Sequence, residues 1–561
     1  MFELLQDYVS LPSVSWTSAL AVGALGVVIF SSVDFVWMIL RPRFSPMRAL
    51  KGPSGGSLFF GHLKLAGNQQ PVGAWHRAQL KKYGHVLCYK GFMNQDRLLT
   101  TDLKAIQHIL TNSAIYHKPY EARYSLSRLL GRGLLFAEGN EHRRQRRIMA
   151  STFLADIMNL SDMPQNPAFG TLNIRDMTEI FLSKSAELCA AMSKSIGKTP
   201  GVEQTRLNML EYLSSTTLDI IGLAGFHYRF NSIKHLAENQ RDDNELAVAF
   251  SQIFSVMTRH PLIGFLKDRK EKQQDNSGHW SPAHARKKAA LLSSGGKAQS
   301  KDLLTLLIKA NLTEANDGTS IDRSMTDEEV MNQIPTFLVA GHETTSTATT
   351  WALYTLSTRK DIQNKLRDEL SAFPHDAPTM DELNSLPYLD RFVREALRYH
   401  SVVSGTVRVA VEDDIIPLDK PFEDRFGKLH SEIVVKKGDT MMIPIRVINT
   451  LEEIWGPDAE EFNPDRWIDP PEQSGAIPSS WGNQLSFLGG PRSCIGFRFA
   501  VVEMKALLFL LVRSFEFELG VPADEIIGSV AIVTRPTLKS NPGAGGQMPI
   551  WVRRLNHYWL F

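Results

Sequence analysis

The chain has 561 residues, of which 62 are basic and 60 acidic, and its formal net charge is +2 at pH 7. This balance gives no global reason to expect nucleic acid as a partner. Only three cysteines occur, Cys88, Cys189 and Cys494, so no disulfide framework is indicated and a reducing compartment is expected. The length alone would favour several domains, although no internal repeat is evident.

The first predicted element is a membrane anchor over residues 16–40. This stretch holds one charged residue, Asp34, and at about 1.5 Å per residue it is long enough to cross a bilayer. Basic residues follow it and acidic residues precede it, so the positive-inside rule places residues 1–15 in the lumen and the remainder in the cytosol. A cleaved signal peptide is the alternative, disfavoured because the apolar stretch is long and shows no clear cleavage site.

Beyond the anchor, the sequence predicts a hinge over residues 41–60, rich in Pro, Gly and basic residues, and then one large unit over residues 61–561. Apolar spacing predicts mainly amphipathic helices in the first two thirds of this unit. A polar stretch at residues 273–300 predicts an exposed, flexible insertion. Three β-prone runs predict small peripheral sheets, at residues 86–89, 97–100 and 432–435. The expected fold class is therefore mainly α with small β-sheets.

Four arginines lie close together on the first charged helix, at positions 143, 144, 146 and 147. Such a cluster can be a nuclear-localisation or nucleic-acid patch. We favour an interpretation in which Arg146 faces a buried anionic group and the other three arginines face an acidic protein partner.

A long helix is predicted over residues 330–357, and it carries Ala340, Gly341, Glu343 and Thr344. Small residues let a helix pass close to a flat group, and a hydroxyl one turn after Ala340 lies on the same face. Thr344 would then donate a hydrogen bond to a bound molecule, and Glu343 would relay protons through water. The alternative is a buried core helix whose threonines bond to carbonyls one turn earlier.

The most informative segment is the loop that contains Cys494. A cysteine binds a metal as the thiolate, and Cys494 precedes a predicted helix over residues 497–515, whose free N–H groups favour an anion. Gly490 allows a sharp turn, Gly496 leaves room for a macrocycle, and Phe487 shields the sulfur. Arg492 would pair with a propionate. This pattern predicts a loop that holds haem iron, whereas an isolated cysteine is more commonly a small buried hydrophobe.

The loop resembles, position for position, the haem-thiolate signature of the cytochrome P-450 monooxygenase family, Phe-x-x-Gly-x-Arg-x-Cys-x-Gly. Further motifs follow in the family's order, and the resemblance covers about residues 50 to 555. It implies the cytochrome P-450 fold, with haem b between the 330–357 helix and the 497–515 helix. It also implies Cys494 as the iron ligand, and Thr344 and Glu343 as the groups that handle protons during oxygen activation.

The resemblance assigns the remaining charged residues to two groups. Glu395 and Arg398, otherwise a weak surface ion pair, would form a buried cluster with Arg466 that locks the region behind the haem. Three arginines would meet haem propionates, at positions 146, 408 and 492. His142 stands where the family commonly has Trp, and it either donates to a propionate or is an ordinary solvated histidine.

The implied function is insertion of one atom of O2 into a small lipophilic substrate, a secondary metabolite such as a terpenoid, polyketide, fatty or aromatic compound. The chain after Cys494 is too short for a flavin domain, so a separate NADPH-dependent flavoprotein reductase is expected, with cytochrome b5 as a second donor. A single-pass endoplasmic-reticulum location with a cytosolic catalytic domain is implied. The alternatives are a haem-thiolate isomerase or dehydratase that acts on peroxides, and a non-catalytic haem or lipid binder. Largely apolar segments form the candidate pocket: residues 115–130, Phe337, Ala340, 402–406 and 532–533.

Overall fold

The computed structural model describes residues 45–150, 171–197, 203–238, 302–316 and 324–555. The predicted anchor, the start of the predicted hinge and the predicted insertion at residues 273–300 lie outside these ranges. Within the described ranges, no helix combines the length and the apolar character needed to cross a membrane.

Helices dominate the described part of the chain. They are α1 (Leu63–Asn68), α2 (Ala74–Tyr83), α3 (Leu103–Thr111), α4 (Tyr120–Leu130), α5 (Gly139–Ala150), α6 (Thr171–Ile196), α7 (Met209–Phe226), α8 (Ser232–Glu238), α9 (Leu303–Asn316), α10 (Asp327–Met331), α11 (Gln333–Thr358), α12 (Lys360–Ser371), α13 (Met380–Ser385), α14 (Pro387–His400), α15 (Ile445–Ile448), α16 (Glu452–Trp455) and α17 (Phe497–Ser514).

Helix α11 is central to the packing. It lies against α7, α14 and α17, and most of its residues are buried. A helix covered on nearly all sides is a core helix, so small and apolar residues occupy most of its length. The predicted helix at residues 330–357 is in fact two helices that meet at Asn332. The first, α10, begins with a capping box in which Thr326 and Glu329 bond reciprocally.

Twelve strands form four small sheets in the described residues. They are β1 (Val86–Lys90), β2 (Asp96–Thr100), β3 (Tyr116–His117), β4 (Gln204–Asn208), β5 (Thr406–Ala410), β6 (Asp414–Glu423), β7 (Leu429–Val435), β8 (Thr440–Ile443), β9 (Phe515–Leu519), β10 (Ile526–Val530), β11 (Thr534–Leu538) and β12 (Pro549–Arg554). The largest sheet has the order β1-β2-β8-β5-β3, and only its β2–β8 pairing is parallel. The others are β4-β12-β9 and the hairpins β6-β7 and β10-β11.

Two large apolar clusters hold these elements together. The larger one joins α6, α7, α11, α14 and α17, and the second surrounds the five-stranded sheet and the β6-β7 hairpin. All three β-prone runs of the sequence lie in strands, β1, β2 and β7. A helical body with small sheets at its edge confirms the predicted fold class.

The described end of the predicted hinge packs against the first sheet. Cys88 N donates to Lys51 O over 2.9 Å, and a Cβ on Gly52 would lie 1.8 Å from Cys88 O. Only a glycine permits so close a backbone approach. The chain is therefore fixed to strand β1 from Lys51 onward.

Candidate functional site

The Cys494 loop is a tight turn that leads directly into helix α17. Cys494 N donates to Phe487 O over 2.8 Å, which closes the loop. Gly496 is the N-cap of α17, so the sulfur lies beside the free N–H groups at the start of that helix. The Phe487 ring packs near Trp481, with 5.6 Å between ring centroids. The loop thus holds its cysteine in a fixed position at a helix N-terminus.

The Cys494 side chain keeps accessible surface although protein atoms crowd around it, and this burial raises the pKa of the thiol. The Gly496 N–H and the Arg146 guanidinium act in the opposite direction. Coordination to a metal would complete the deprotonation, because a coordinating thiol loses its proton outright. The other two cysteines are buried, and burial also raises their thiol pKa values.

Two glycines of the loop are required by close packing. Gly490 has φ of +70°, and a Cβ there would lie 2.5 Å from Leu110 O. A Cβ on Gly489 would lie 1.8 Å from Pro478 O. Gly496 has φ of −95°, which any residue adopts, so its backbone conformation does not explain the glycine.

Partly buried cations lie beside the loop. Arg146 reaches it from α5 and donates to Ser493 Oγ over 3.2 Å. Arg492 pairs with Glu138 and also donates to Ala137 O over 3.3 Å. The nearby Lys118 amine lies 3.3 Å from the same Glu138 carboxylate. No local sequence pattern marks Lys118 or Glu138, so neither residue was predicted to lie in the site.

Arg408 and His142 complete this cationic cluster. Arg408 is buried on strand β5, where it donates to Thr406 Oγ1 over 2.6 Å and to Val407 O over 2.9 Å. Burial and the charge of Arg492 lower the Arg408 pKa to about 10. His142 is also buried, and burial followed by the neighbouring positive charges lowers its pKa to about 3. His142 is therefore neutral and enclosed rather than an ordinary solvated histidine.

The cluster has more positive than negative charge. Lys118, Arg408 and Arg492 all interact with the carboxylate of Glu138, whereas Arg146 interacts with Cys494 and Arg492. Buried cations in excess favour an anionic ligand, because each uncompensated charge is costly away from water. Haem supplies two propionates for these cations and an iron for Cys494. The donor set therefore fits haem.

Helix α11 has a short accessible section at Ala340, Gly341 and Thr344, within otherwise mostly buried residues. Thr344 Oγ1 donates to Ala340 O over 2.7 Å, the bond expected of a core helix. A Cβ on Gly341 would lie 2.9 Å from Ile221 Cγ1, so this glycine is needed for close contact with α7. The structure gives Gly341 a helix-packing role, and its predicted contact with a flat ligand stays a prediction.

Glu343 is buried and pairs with Arg535 of strand β11. Glu343 is predicted to relay protons through water, whereas no local sequence pattern marks Arg535 as its partner. His342 Nε2 lies 3.8 Å from Glu343 Oε2. His342 Nδ1 donates to Leu338 O over 2.9 Å, and burial lowers the His342 pKa. The carboxylate of Glu343 is thus held by a cation from another part of the fold.

Glu395 and Arg398 form a fully buried ion pair on α14. Arg398 donates to both Glu395 carboxylate oxygens over 2.7 and 2.8 Å, and its remaining N–H groups meet three backbone carbonyls. The predicted third member, Arg466, approaches Glu395 to 3.6 Å. The hydrogen bonds of Arg466 go to Asp458 at 2.8 Å and to nearby carbonyls. The structure brings all three residues together, with Asp458 as the main partner of Arg466.

Residues that belong to or adjoin three of the candidate pocket segments are hydrogen-bonded to helix α11 or to one another. Leu134 N, just after α4, donates to Gln333 Oε1 over 2.9 Å. Thr534 N donates to Val402 O over 2.7 Å, and Trp351 Nε1 donates to Thr534 O over 2.8 Å. Segments from distant parts of the chain therefore converge on the helix that carries Thr344.

Glu503 is a second buried acid near this helix, and the sequence analysis missed it. It lies on α17 with no exposed surface, and neither carboxylate oxygen has a well-aligned hydrogen-bond donor in the described part of the chain. Burial raises its pKa well above 4.5, and the nearby Thr345 hydroxyl offsets this only in part. Burial without a counter-charge therefore favours the protonated form of Glu503 in the folded protein.

Replacing Glu503 with glutamine should leave the fold intact and stabilise it at neutral pH. Since the folded protein binds this proton more tightly than the unfolded chain, the wild type loses stability as pH rises above about 4.5. The Gln variant does not lose stability in this way. The Tm of the variant should therefore exceed that of the wild type by an amount that grows as pH rises. Thermal unfolding over a pH series tests this, and a variant less stable than wild type at all pH values would contradict it.

Glu516 provides a control of opposite sign. Hydrogen bonds from Arg553 and Lys360 lower its pKa to about 2, so its stabilising contribution exists above the unfolded pKa and disappears in acid. Glu516→Gln should therefore destabilise the protein slightly at neutral pH. The difference in stability between the variant and the wild type should become smaller as pH falls.

The comparisons with known proteins agree with this site. The family model for cytochrome P450 matches residues 51–539. Cytochrome P450 monooxygenases 205 and 128 of Postia placenta are 43% and 40% identical, over 95% and 92% of this chain and 97% and 94% of theirs. A ganoderic acid synthetase of Ganoderma lucidum is 30% identical over 92% of this chain and 96% of its own. Members of this family bind haem through a cysteine thiolate and use O2. With its single accessible cysteine beside an excess of buried cations, the chain belongs to the cytochrome P450 family and is a monooxygenase of that type.

Proposed function

We propose that this protein inserts one atom of O2 into a small lipophilic secondary metabolite, with electrons from a separate NADPH-dependent reductase. The observation that carries the proposal is the accessible section of α11, where Ala340 and Thr344 interrupt an otherwise buried helix. Thiolate-bound haem supplies the redox chemistry that activates O2.

One group of residues would hold the cofactor, and a second group would move protons. Cys494 would bind the iron, with Phe487 and Gly496 shaping the loop. Arg146, Arg408 and Arg492 would meet the propionates, and the neutral His142 would donate a hydrogen bond among them. Their positive charge is already in excess, so binding of the propionates removes an electrostatic cost.

Proton supply would depend on Thr344 and Glu343. The Thr344 hydroxyl, which donates to Ala340 O in this structure, would turn into the accessible space and donate there. Glu343 would pass protons to that hydroxyl through water. General acid–base groups of this kind contribute about 10²-fold to 10⁴-fold in rate.

The substrate class is supported by the segments that line the same helix. Val402, Phe337 and Val533 are apolar and buried, and Ile532 on the same turn is partly exposed. Apolar walls with few polar groups favour a lipophilic molecule. One relative is named for synthesis of ganoderic acid, which supports a role in secondary metabolism.

The site of action would be the cytosolic face of the endoplasmic reticulum, with residues 16–40 as the anchor and residues 61–561 as a single catalytic domain. Large apolar residues near the start of the described chain support contact with a lipid surface: Leu58, Phe59, Leu65 and Phe92 are 73%, 58%, 53% and 45% exposed. Exposed apolar patches commonly mark interaction sites.

Electron donors would be the flavoprotein reductase and cytochrome b5. Arg143 on α5 is exposed, as a docking residue for an acidic partner requires. Arg144 pairs with Glu329 of α10, so its charge is partly satisfied within the protein. Charge reversal at Arg143 should therefore slow electron delivery more than reversal at Arg144.

Two other functions are separated from this one by turnover experiments. A haem-thiolate isomerase or dehydratase would convert peroxides without a reductase, and a non-catalytic binder would convert nothing. Membranes that contain the protein, a reductase and NADPH are given a panel of lipophilic compounds, and products are identified by mass spectrometry. An oxygenated product that requires NADPH supports the proposal, whereas peroxide-only turnover supports the isomerase.

Within that assay, Thr344→Ala should lower product formation by about 10²-fold while NADPH consumption continues and hydrogen peroxide accumulates. Alanine suits a helix, so the fold should persist. Thr344→Ser keeps the hydroxyl and serves as the matched control, with near wild-type coupling. Unchanged product yield per NADPH in the alanine variant would refute the proton-handling role of Thr344.

A further inference from the structure

Helix α4 carries an arginine, Arg123, that forms no salt bridge with any described residue. Its Nε donates to Phe136 O over 3.2 Å, and the guanidinium lies 4.6 Å from the centre of the Phe136 ring. These contacts leave the two terminal nitrogens of Arg123 without an acceptor in the described part of the chain. The free edge of the guanidinium is therefore able to bind another group.

The position of Arg123 differs from that of an ordinary surface arginine. Its side chain is half-buried, whereas Arg132, which lies 5.9 Å from the same Phe136 ring, is exposed. A charge that is partly removed from water is screened less, so it attracts an opposite charge more strongly. A small carboxylate can reach such a group more easily than the side chains of a folded protein can.

Arg123 also extends the cationic cluster beside the Cys494 loop. Burial lowers the pKa of Arg492, the Glu138 carboxylate raises it, and the charge of Arg123 lowers it further. Burial likewise lowers the pKa of His117 on β3, and the charges of Arg492 and Arg123 act in the same direction. Two neighbours on different elements thus place the Arg123 charge next to the residues that would meet the propionates.

This cluster stays positive when the propionates are counted. The cations that take part are Lys118, Arg123, Arg146, Arg408 and Arg492. Opposite them stand the Glu138 carboxylate and, in the haem-loaded protein, two propionates, while the iron compensates the thiolate. Five cations then face three anions. Uncompensated positive charge at a partly buried site favours a further anion.

The same helix belongs to the predicted substrate pocket. Helix α4 packs against α11, which carries the accessible Ala340 and Thr344. Leu126 of α4 packs against the larger apolar cluster, so the helix offers apolar surface as well as Arg123. An occupant with an apolar body and one anionic end matches both features.

We propose that Arg123 is a specificity-determining residue that binds a carboxylate at one end of the lipophilic substrate. The inference rests on the proposed function and deepens it, because it narrows the substrate class to lipophilic acids. A guanidinium can form two parallel hydrogen bonds with a carboxylate, which gives both affinity and orientation. Esters of the same acids keep the apolar body but lose the charge, so they should bind less tightly.

The test is a binding titration of the haem-loaded, full-length protein at neutral pH, followed by the shift of the Soret band. The probes are dodecanoic, abietic and oleanolic acids, each paired with its methyl ester. At least one acid should bind the wild type about tenfold more tightly than its ester, as a charged hydrogen-bonded pair requires. Arg123→Gln should abolish this preference by weakening binding of the acid alone, and Arg123→Lys should retain part of it. No preference for the acid in any of the pairs would overturn the proposal.

Two controls separate this role from general attraction and from haem binding. Arg132→Gln removes the exposed arginine near the same ring and should leave the preference for the acid unchanged; an equal loss there would overturn the proposal. Arg123→Gln should keep the wild-type haem content, since a large loss would make Arg123 a propionate ligand instead. The titration needs neither reductase nor NADPH. A protein that oxygenates neutral compounds without preferring acids would therefore contradict this inference and leave the proposed reaction in place.

Discussion

Replacement of Cys494 by alanine is expected to abolish oxygenation completely. No other described sulfur can substitute, because Cys88 and Cys189 are buried in apolar packing away from the loop. The variant should also lose the spectral features of thiolate ligation, even if haem remains in the site through its propionate contacts. Product analysis and absorption spectra of the purified variant measure both effects.

The matched control for Cys494 is Cys189→Ala. Cys189 is packed within helix α6, so its loss removes a small buried group and should lower stability modestly. The haem spectrum and the turnover should remain those of the wild type. Retained oxygenation in Cys494→Ala would contradict the assignment of the iron ligand.

Replacement of Arg398 by methionine is expected to prevent formation of stable haem-loaded protein. The substitution removes the two-bond partner of the buried Glu395 carboxylate and leaves only Arg466, at 3.6 Å, as a counter-charge. It also leaves three backbone carbonyls without their donor. Breaking a buried pair costs about 3–5 kcal/mol, which is a large part of the roughly 5–15 kcal/mol that stabilises a typical domain. Arg398→Lys should also fail, because an ammonium cannot reproduce the fork of hydrogen bonds.

The expected loss is measured as haem content and as the midpoint of denaturant unfolding. Lys365→Gln is the control, since Lys365 pairs with Asp465 at the surface and exposed pairs contribute less than about 1 kcal/mol. Normal haem content and unchanged stability in Arg398→Met would show that the cluster around Glu395 does not lock this region.

The secondary-structure elements that depend on local sequence patterns were predicted from the sequence. The strands β1, β2 and β7 and the helix after Cys494 follow from β-branched runs, helical spacing and glycine positions. The α10 and α11 boundary was missed because Asn332 keeps helical backbone angles between them, so the apolar spacing continues without a break.

The partners of charged residues could not be predicted from the sequence. Arg492 pairs with Glu138, which lies 354 residues away, and Arg535 pairs with Glu343, which lies 192 residues away. A chain with 60 acidic residues offers many partners of equal chemistry, and only the fold selects one. The same reason explains why Arg466 bonds chiefly to Asp458.

The central claim is that the Cys494 sulfur binds haem iron as a thiolate. The most direct measurement is the absorption spectrum of the full-length wild-type protein after reduction and treatment with carbon monoxide. Thiolate ligation predicts a Soret band shifted far to the red of its usual position, and this shifted band should be lost in Cys494→Ala. A wild-type Soret band at the usual position in freshly purified, haem-loaded protein would contradict the claim.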